Sequence, residues 1–169
     1  AATYVAQGDE HSADGSVDES AANAVAQMDK RMKKMAAMKR ELPEPELYEA
    51  ASHQPLASSD NPEVDLLIIG WGSTKGAVLD VLASRGPEAG GRIAYLHYSY
   101  LWPLKTERLQ AMMKKAKKVV LIEGNKTAQL GMLIRQEAGI DIEDKILKYD
   151  GRPFFYNELL GQISSRISS

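Results

Sequence analysis

Val119-Val-Leu-Ile-Glu-Gly-Asn-Lys-Thr-Ala-Gln-Leu-Gly-Met-Leu-Ile-Arg135 is the stretch whose reading decides the fold. An apolar run ends on an acid, a short polar turn follows, and an amphipathic helical pattern begins at once. This is the signature of a buried parallel strand handing its carboxyl end to a helix. Glu123, Asn125 and Gln129 gather at that junction. The same pattern occurs upstream in Asp65-Leu-Leu-Ile-Ile-Gly-Trp-Gly-Ser-Thr-Lys-Gly-Ala-Val-Leu-Asp-Val-Leu82. Two such units in one short chain predict an α/β fold, and in open α/β sheets binding and contact groups collect at the carboxyl edge of the strands.

Working outward, strands are predicted at Asp65–Ile69, Arg92–His97, Lys118–Glu123 and Lys145–Tyr149. Helices are predicted at Thr74–Ser84, Thr106–Lys115, Thr127–Ala138 and about Tyr156–Ile167. Strand and helix alternate across short turns, which implies right-handed crossovers and a mostly parallel sheet in a three-layer α/β/α arrangement. This domain is expected to cover residues 64–169. Residues 42–63 read as a linker punctuated by Pro43, Pro45, Pro55 and Pro62, although Glu46-Leu-Tyr-Glu49 fits a sheet edge. Residues 1–41 read as a connector: an extended Thr3–Ala6, a polar turn over Gly8–Gly15, and a capping box from Ser16 and Glu19 opening a long helix. Val25, Met28, Met32 and Met35 draw one apolar stripe on that helix. The stripe is read as a packing face, with a coiled-coil dimerisation arm as the weaker reading.

Composition narrows the function classes. With 21 basic and 23 acidic residues the net charge is −2, so neither nucleic acid nor an anionic membrane is indicated as a partner. No apolar run reaches the roughly 18–20 residues that cross a bilayer. The start lacks the layout of a signal peptide, so a soluble, cytoplasmic protein is expected. The chain opens on Ala1 rather than Met, which leaves an internal cut and a natural start both open. There is no cysteine, hence no thiolate nucleophile and no cysteine-ligated iron–sulfur cluster on this chain.

The turn Gly70-Trp-Gly-Ser-Thr-Lys-Gly76 invites a test for nucleotide binding. It lacks the Gly-x-x-x-x-Gly-Lys-Ser/Thr of a P-loop, and Lys75 stands where the dinucleotide fingerprint needs its third glycine. A helix cap by Ser73 or Thr74 explains the turn more simply. A free-standing nucleotide-binding module is kept as the alternative function. Glu123, Asn125 and Gln129 are read as interface groups, against a structural reading in which Glu123 takes backbone amides and Thr127 caps the helix. Arg152, set between Gly151 and Pro153, is suited to gripping a partner carboxylate or to a surface salt bridge. His11, His53 and His97 are scattered without metal-ligand spacing, and no serine–histidine–aspartate set can be assigned. Lys114-Lys-Ala-Lys-Lys118 reads as a solvated helix end.

Several motifs together resemble the C-terminal core domain (domain II) of the α subunit of 2-oxoacid:ferredoxin oxidoreductases, especially the 2-oxoglutarate type. They are Gly70–Ser73, Pro103-Leu104, Glu123-Gly-Asn125 with Gln129-Leu130, Ile134–Gly139 and, most specific, Lys148-Tyr-Asp-Gly-Arg-Pro-Phe154. Gly8–His11 and Lys30–Lys34 are similar to the family's connector, so the resemblance runs nearly end to end. It departs at Glu49–Pro55, where no family motif is found, and at Lys126-Thr-Ala128, where relatives often carry a glycine. The resemblance implies a transketolase C-terminal-like fold with one antiparallel edge strand. It implies an enzyme that decarboxylates a 2-oxoacid on thiamine diphosphate, passes electrons through an iron–sulfur cluster to ferredoxin and delivers the acyl group to coenzyme A. Thiamine diphosphate, magnesium and the cluster are then expected on the rest of the complex, including a β subunit, with none bound by this chain alone. No catalytic, cofactor-binding or metal residue is assigned here. Ser73, Thr74, Glu123, Asn125, Gln129 and Arg152 are the candidates for interface or site-edge contact.

Overall fold

The computed structural model describes residues 8–50, 53–57, 60–85 and 91–168, and the extended stretch expected at Thr3–Ala6 lies outside them. The described residues fall into two compact units, Ala1–Leu42 and Pro43–Ser169, each described by itself.

The first unit is a helix, α1 (Ala21–Glu41), preceded by a turn. The expected capping box at Ser16 and Glu19 does not form. Ser16 instead bonds Asp14 through its amide and hydroxyl. Ser20 is the N-cap, and its hydroxyl accepts the Asn23 amide at 3.2 Å. Asp18 supports this start by accepting the Ser20 amide, and its carbonyl accepts the Asn23 side chain. No residue of α1 is buried, and Val25, Met28 and Met32 of the stripe are exposed.

The second unit is built on one five-stranded sheet in the order β1-β3-β2-β4-β5. The strands are β1 (Glu46–Glu49), β2 (Val64–Trp71), β3 (Ile93–Tyr98), β4 (Ala116–Glu123) and β5 (Lys145–Leu147). All pairings are parallel except the edge strand β1 against β3. Helices α2 (Thr74–Ser84), α3 (Glu107–Met113), α4 (Gln129–Ala138) and α5 (Tyr156–Ser168) connect or follow the strands. The three-layer α/β fold expected from the sequence is therefore present.

Strand alternation explains the layers. Leu67 and Ile69 pack with Leu109 and Met112 of α3 and with Leu130 and Ile134 of α4. Leu66 and Ile68 face the other way, onto Val78 and Leu82 of α2 and onto Leu159 and Ile163 of α5. Central strands covered on both faces must be apolar throughout, and β3 is buried at every position.

The proline-rich stretch is held on this unit rather than left as a free linker. Arg108 of α3 is buried and donates to the carbonyls of Pro45, Ala57 and Asp60 at 3.3, 2.9 and 3.0 Å. Prolines cannot donate to a ladder, so a guanidinium that gathers carbonyls is a suitable anchor for such a segment.

Candidate functional site

The chain leaves β2 toward β3 on one side and leaves β4 toward β5 on the other. The carboxyl ends of β2 and β4 are thus a topological switch point, where the two following loops diverge and leave a crevice. A cleft of about 220 Å³ lies there, between Trp71–Thr74 and Gly124, Asn125 and Gln129. A second cleft, about 330 Å³, shares Ser73, Thr74 and Gly124 and is closed by Lys148, Tyr149 and Gly151–Phe154. The fold therefore brings Ser73, Thr74, Asn125, Gln129 and Arg152 around two adjoining hollows.

Glu123 lies beneath this surface, fully buried at the last position of β4. Its Oε2 accepts the Trp71 indole N–H at 2.9 Å, the Asn125 amide at 2.7 Å and the Leu130 backbone N–H at 3.0 Å. Its Oε1 accepts the Gly131 backbone N–H at 3.1 Å. Glu123 therefore supports the edge from within and does not itself face outward. Asn125 Oδ1 accepts the Thr127 and Gln129 amides, each at 3.2 Å. The free amides at the start of α4 are thus taken by Asn125 and by Glu123, as the structural reading expects of Glu123, whereas Thr127 does not cap the helix. The helix begins two residues later than expected because Ala128, at φ 55°, turns the chain into it.

This arrangement is a carboxylate placed against the positive end of a helix. It fills the place where a phosphate would otherwise sit. The Gly70–Gly76 turn is no better a cradle. Thr74 Oγ1 donates back to the Trp71 carbonyl at 2.8 Å, and the Lys75 amide donates to Gly72. Lys75 turns away to Glu46 of the edge strand at 2.7 Å and lies over the Tyr48 ring. Glycine is favoured at two places in the turn for geometric reasons: Gly72 has φ +60°, and a Cβ on Gly70 would press to 3.1 Å from the Ile122 carbonyl oxygen.

Charges along the carboxyl edge are paired locally. Arg152 grips Asp150 through Nε and Nη2 at 3.0 and 2.6 Å, which is the salt-bridge reading of that residue. The contact holds the Asp150 carboxyl down to about 2. Lys148 donates to both oxygens of Glu158 at 2.9 and 2.8 Å. His97, at the end of β3, bonds the Tyr95 hydroxyl through Nδ1 at 2.8 Å. Burial, helped by nearby Lys75, pushes His97 down to about 4. Sequence reasoning missed the Trp71–Glu123 bond and the Lys75–Glu46 pair. Only the first left a trace, as a polar-capable ring at the end of an apolar strand.

The open, mostly parallel sheet, its antiparallel edge and its switch-point cleft define an open α/β domain, the transketolase C-terminal-like class that the resemblance implies. No family model matches the chain. The α subunit of 2-oxoacid:ferredoxin oxidoreductase 1 of Sulfurisphaera tokodaii is 32% identical over 158 residues, which is 94% of this chain and 23% of that subunit. The α subunit of 2-oxoacid:ferredoxin oxidoreductase 1 of Aeropyrum pernix is 31% identical over 155 residues, with 90% of this chain and 23% of that subunit covered. The solved 2-oxoglutarate:ferredoxin oxidoreductase of Magnetococcus marinus, with 2-oxoglutarate, coenzyme A and succinyl-CoA bound, matches with a TM-score of 0.76 and 26% identity. That match covers 98% of this chain and 27% of the solved one. The homologues of this chain are thus α subunits of 2-oxoacid:ferredoxin oxidoreductases, as the motifs suggested, and the chain spans 23% of the length of those curated relatives.

Proposed function

We propose that this chain is the C-terminal part of the α subunit of a 2-oxoacid:ferredoxin oxidoreductase, of the 2-oxoglutarate type, and serves there as an assembly domain. The observation that carries the reading is the alignment of 94% of the chain with α subunits of which it spans less than a quarter. In this reading the complex converts a 2-oxoacid and coenzyme A to acyl-CoA while reducing ferredoxin, in the cytoplasm. Its partners are a β subunit and the remainder of the α polypeptide.

The residues present do not fit thiamine diphosphate, magnesium or an iron–sulfur cluster. The chain has no cysteine to ligate a cluster. Among the described residues no three His, Asp or Glu side chains gather as a metal site. The start of α4 is already occupied by Glu123 and Asn125. Those groups are accordingly assigned to the rest of the complex. What this chain supplies is the edge around Ser73, Thr74, Asn125, Gln129 and Arg152, made rigid from below by Glu123.

The test is side-chain truncation in the assembled enzyme. Gln129→Ala is expected to weaken α–β association or turnover while leaving stability unchanged, because Gln129 is exposed. Asn125→Ala should do the same and also cost about 1–2 kcal/mol of stability, through lost capping. Size-exclusion chromatography, turnover and urea denaturation separate the two effects. Unaltered association and turnover in both variants would remove these residues from the interface.

A further inference from the structure

We infer that Thr74, Tyr95 and His97 form a buried two-position hydrogen-bond switch, which ties the wall of the switch-point clefts to the proton on the His97 ring. The switch lies wholly within this domain and does not depend on the assembly reading. Thr74 opens α2, while Tyr95 and His97 take alternate positions of β3 and so share one face of the sheet. All three are buried. The Tyr95 hydroxyl lies 2.8 Å from His97 Nδ1 and 3.5 Å from Thr74 Oγ1. Thr74 Oγ1 in turn donates to the Trp71 carbonyl at 2.8 Å. Because Thr74 lines both clefts, the chain of groups ends at their shared wall.

The backbone makes room for this chain. Gly70 of β2 stands opposite His97 in the parallel ladder. A Cβ there would lie 3.1 Å from Thr74 Oγ1 and 3.2 Å from the Tyr95 hydroxyl. Any side chain would press into the space where the two hydroxyls meet.

One proton sets the direction. Burial pushes the Tyr95 hydroxyl well above its ordinary range, so it keeps its proton and has only one to donate. At 2.8 Å the bond to His97 has ordinary hydroxyl length, whereas 3.5 Å to Thr74 is too long for one. Tyr95 therefore donates to a bare Nδ1, and the ring proton sits on Nε2. A protonated histidine carries hydrogen on both nitrogens. Nδ1 then donates to Tyr95, whose own proton must turn to Thr74 and close that contact. Thr74 thereby holds the Trp71 carbonyl more strongly, because bonds in a chain polarise one another. By linkage, a group entering either cleft that draws on the Thr74 hydroxyl alters the proton affinity of His97.

The surroundings fix the resting position. Glu46 of β1 pairs with His97 in the antiparallel ladder, and Tyr48 stands opposite Tyr95 with its ring stacked at 6.2 Å. Lys75 of α2 and Tyr48 both donate to Glu46 Oε2, at 2.7 and 3.0 Å. Burial first and Lys75 second hold His97 down to about 4, with Glu46 opposing. Neutral His97 is thus the resting state, and acid throws the switch.

The experiment is nitrogen-15 NMR of the 169-residue chain. His97→Gln identifies the His97 ring signals among those of His11, His53 and His97. At neutral pH the ring is expected to show a pyridine-like Nδ1 and a pyrrole-like Nε2. As pH falls toward about 4, the Gly72 amide, which adjoins the Trp71 carbonyl, should shift with the same midpoint as the ring. Tyr95→Phe should leave the ring titrating and abolish the Gly72 shift. Thr74→Val, which keeps the shape of the side chain, should do the same and covers a Tyr95 variant that fails to fold. A pyrrole-like Nδ1 at neutral pH, or a Gly72 shift that follows His97 in both variants, overturns the inference. Should acid unfold the chain first, Tyr95→Phe is read at neutral pH instead. Loss of its donor should then move the ring proton toward Nδ1, and an unchanged ring pattern would overturn the inference.

Discussion

Glu123 receives four N–H groups on two oxygens, from Trp71, Asn125, Leu130 and Gly131, with no exposed surface. A glutamine there keeps one acceptor oxygen and turns the other into an N–H₂ group aimed at a donor. Removing the acceptor from buried donors costs the desolvation of each donor left unpaired. Glu123→Gln is therefore expected to lower unfolding free energy by about 2–4 kcal/mol. Urea denaturation checks this, and a change under about 0.5 kcal/mol, the range of an unimportant surface site, would show that these bonds carry little weight. The position was legible in the sequence as an acid ending an apolar strand, where an unpartnered carboxylate is costly. Its role was legible as the structural alternative, in which Glu123 takes backbone amides, while the particular donors Trp71, Leu130 and Gly131 were not, because no side-chain pattern announces them.

At the scale of elements, periodicity carried most of the information. The bounds of α2 follow directly from the spacing of Val78, Leu79, Val81 and Leu82 after a glycine turn. Helix starts were harder to place, since α1 is capped by Ser20 rather than Ser16 and α4 is capped from the strand that precedes it. The long reach of Arg108 to the proline-rich stretch was invisible for a similar reason, since its acceptors are carbonyls far away in sequence. The edge between β1, β3 and α2 makes its own prediction. His97 is 4% exposed and held down at about 4, against an ordinary 6.5, by burial first and Lys75 second, with Glu46 opposing. A histidine depressed on folding binds more protons in the unfolded chain, so its contribution is whole above about 6.5 and is lost as pH falls toward about 4. The slope from this group is at most about 1.4 kcal/mol per pH unit. Comparing wild type with His97→Gln across that window isolates it from the carboxylates. Parallel pH–stability curves for the two would contradict the assignment.

On the scale of the whole molecule, the sheet of the second unit is covered on both faces, its carboxyl edge carries the pairs Lys148–Glu158 and Arg152–Asp150, and the hollow at the other edge is lined by Glu63, Asp65, Lys114, Lys115 and Lys117. Two adjoining clefts open where its loops converge at the switch point. That asymmetry is what the assembly reading proposed above expects. It agrees with relatives of which this chain spans 23%. No helix among the described residues is long and apolar enough to cross a membrane. No residue of the helix α1 is buried. The most direct test deletes this segment from the α subunit, co-expresses the remainder with the β subunit, and measures assembly by light scattering alongside 2-oxoglutarate- and coenzyme A-dependent reduction of ferredoxin. The account predicts that the truncated α chain fails to hold the β subunit and that turnover is lost with assembly. A stable complex of full activity lacking the segment would contradict it.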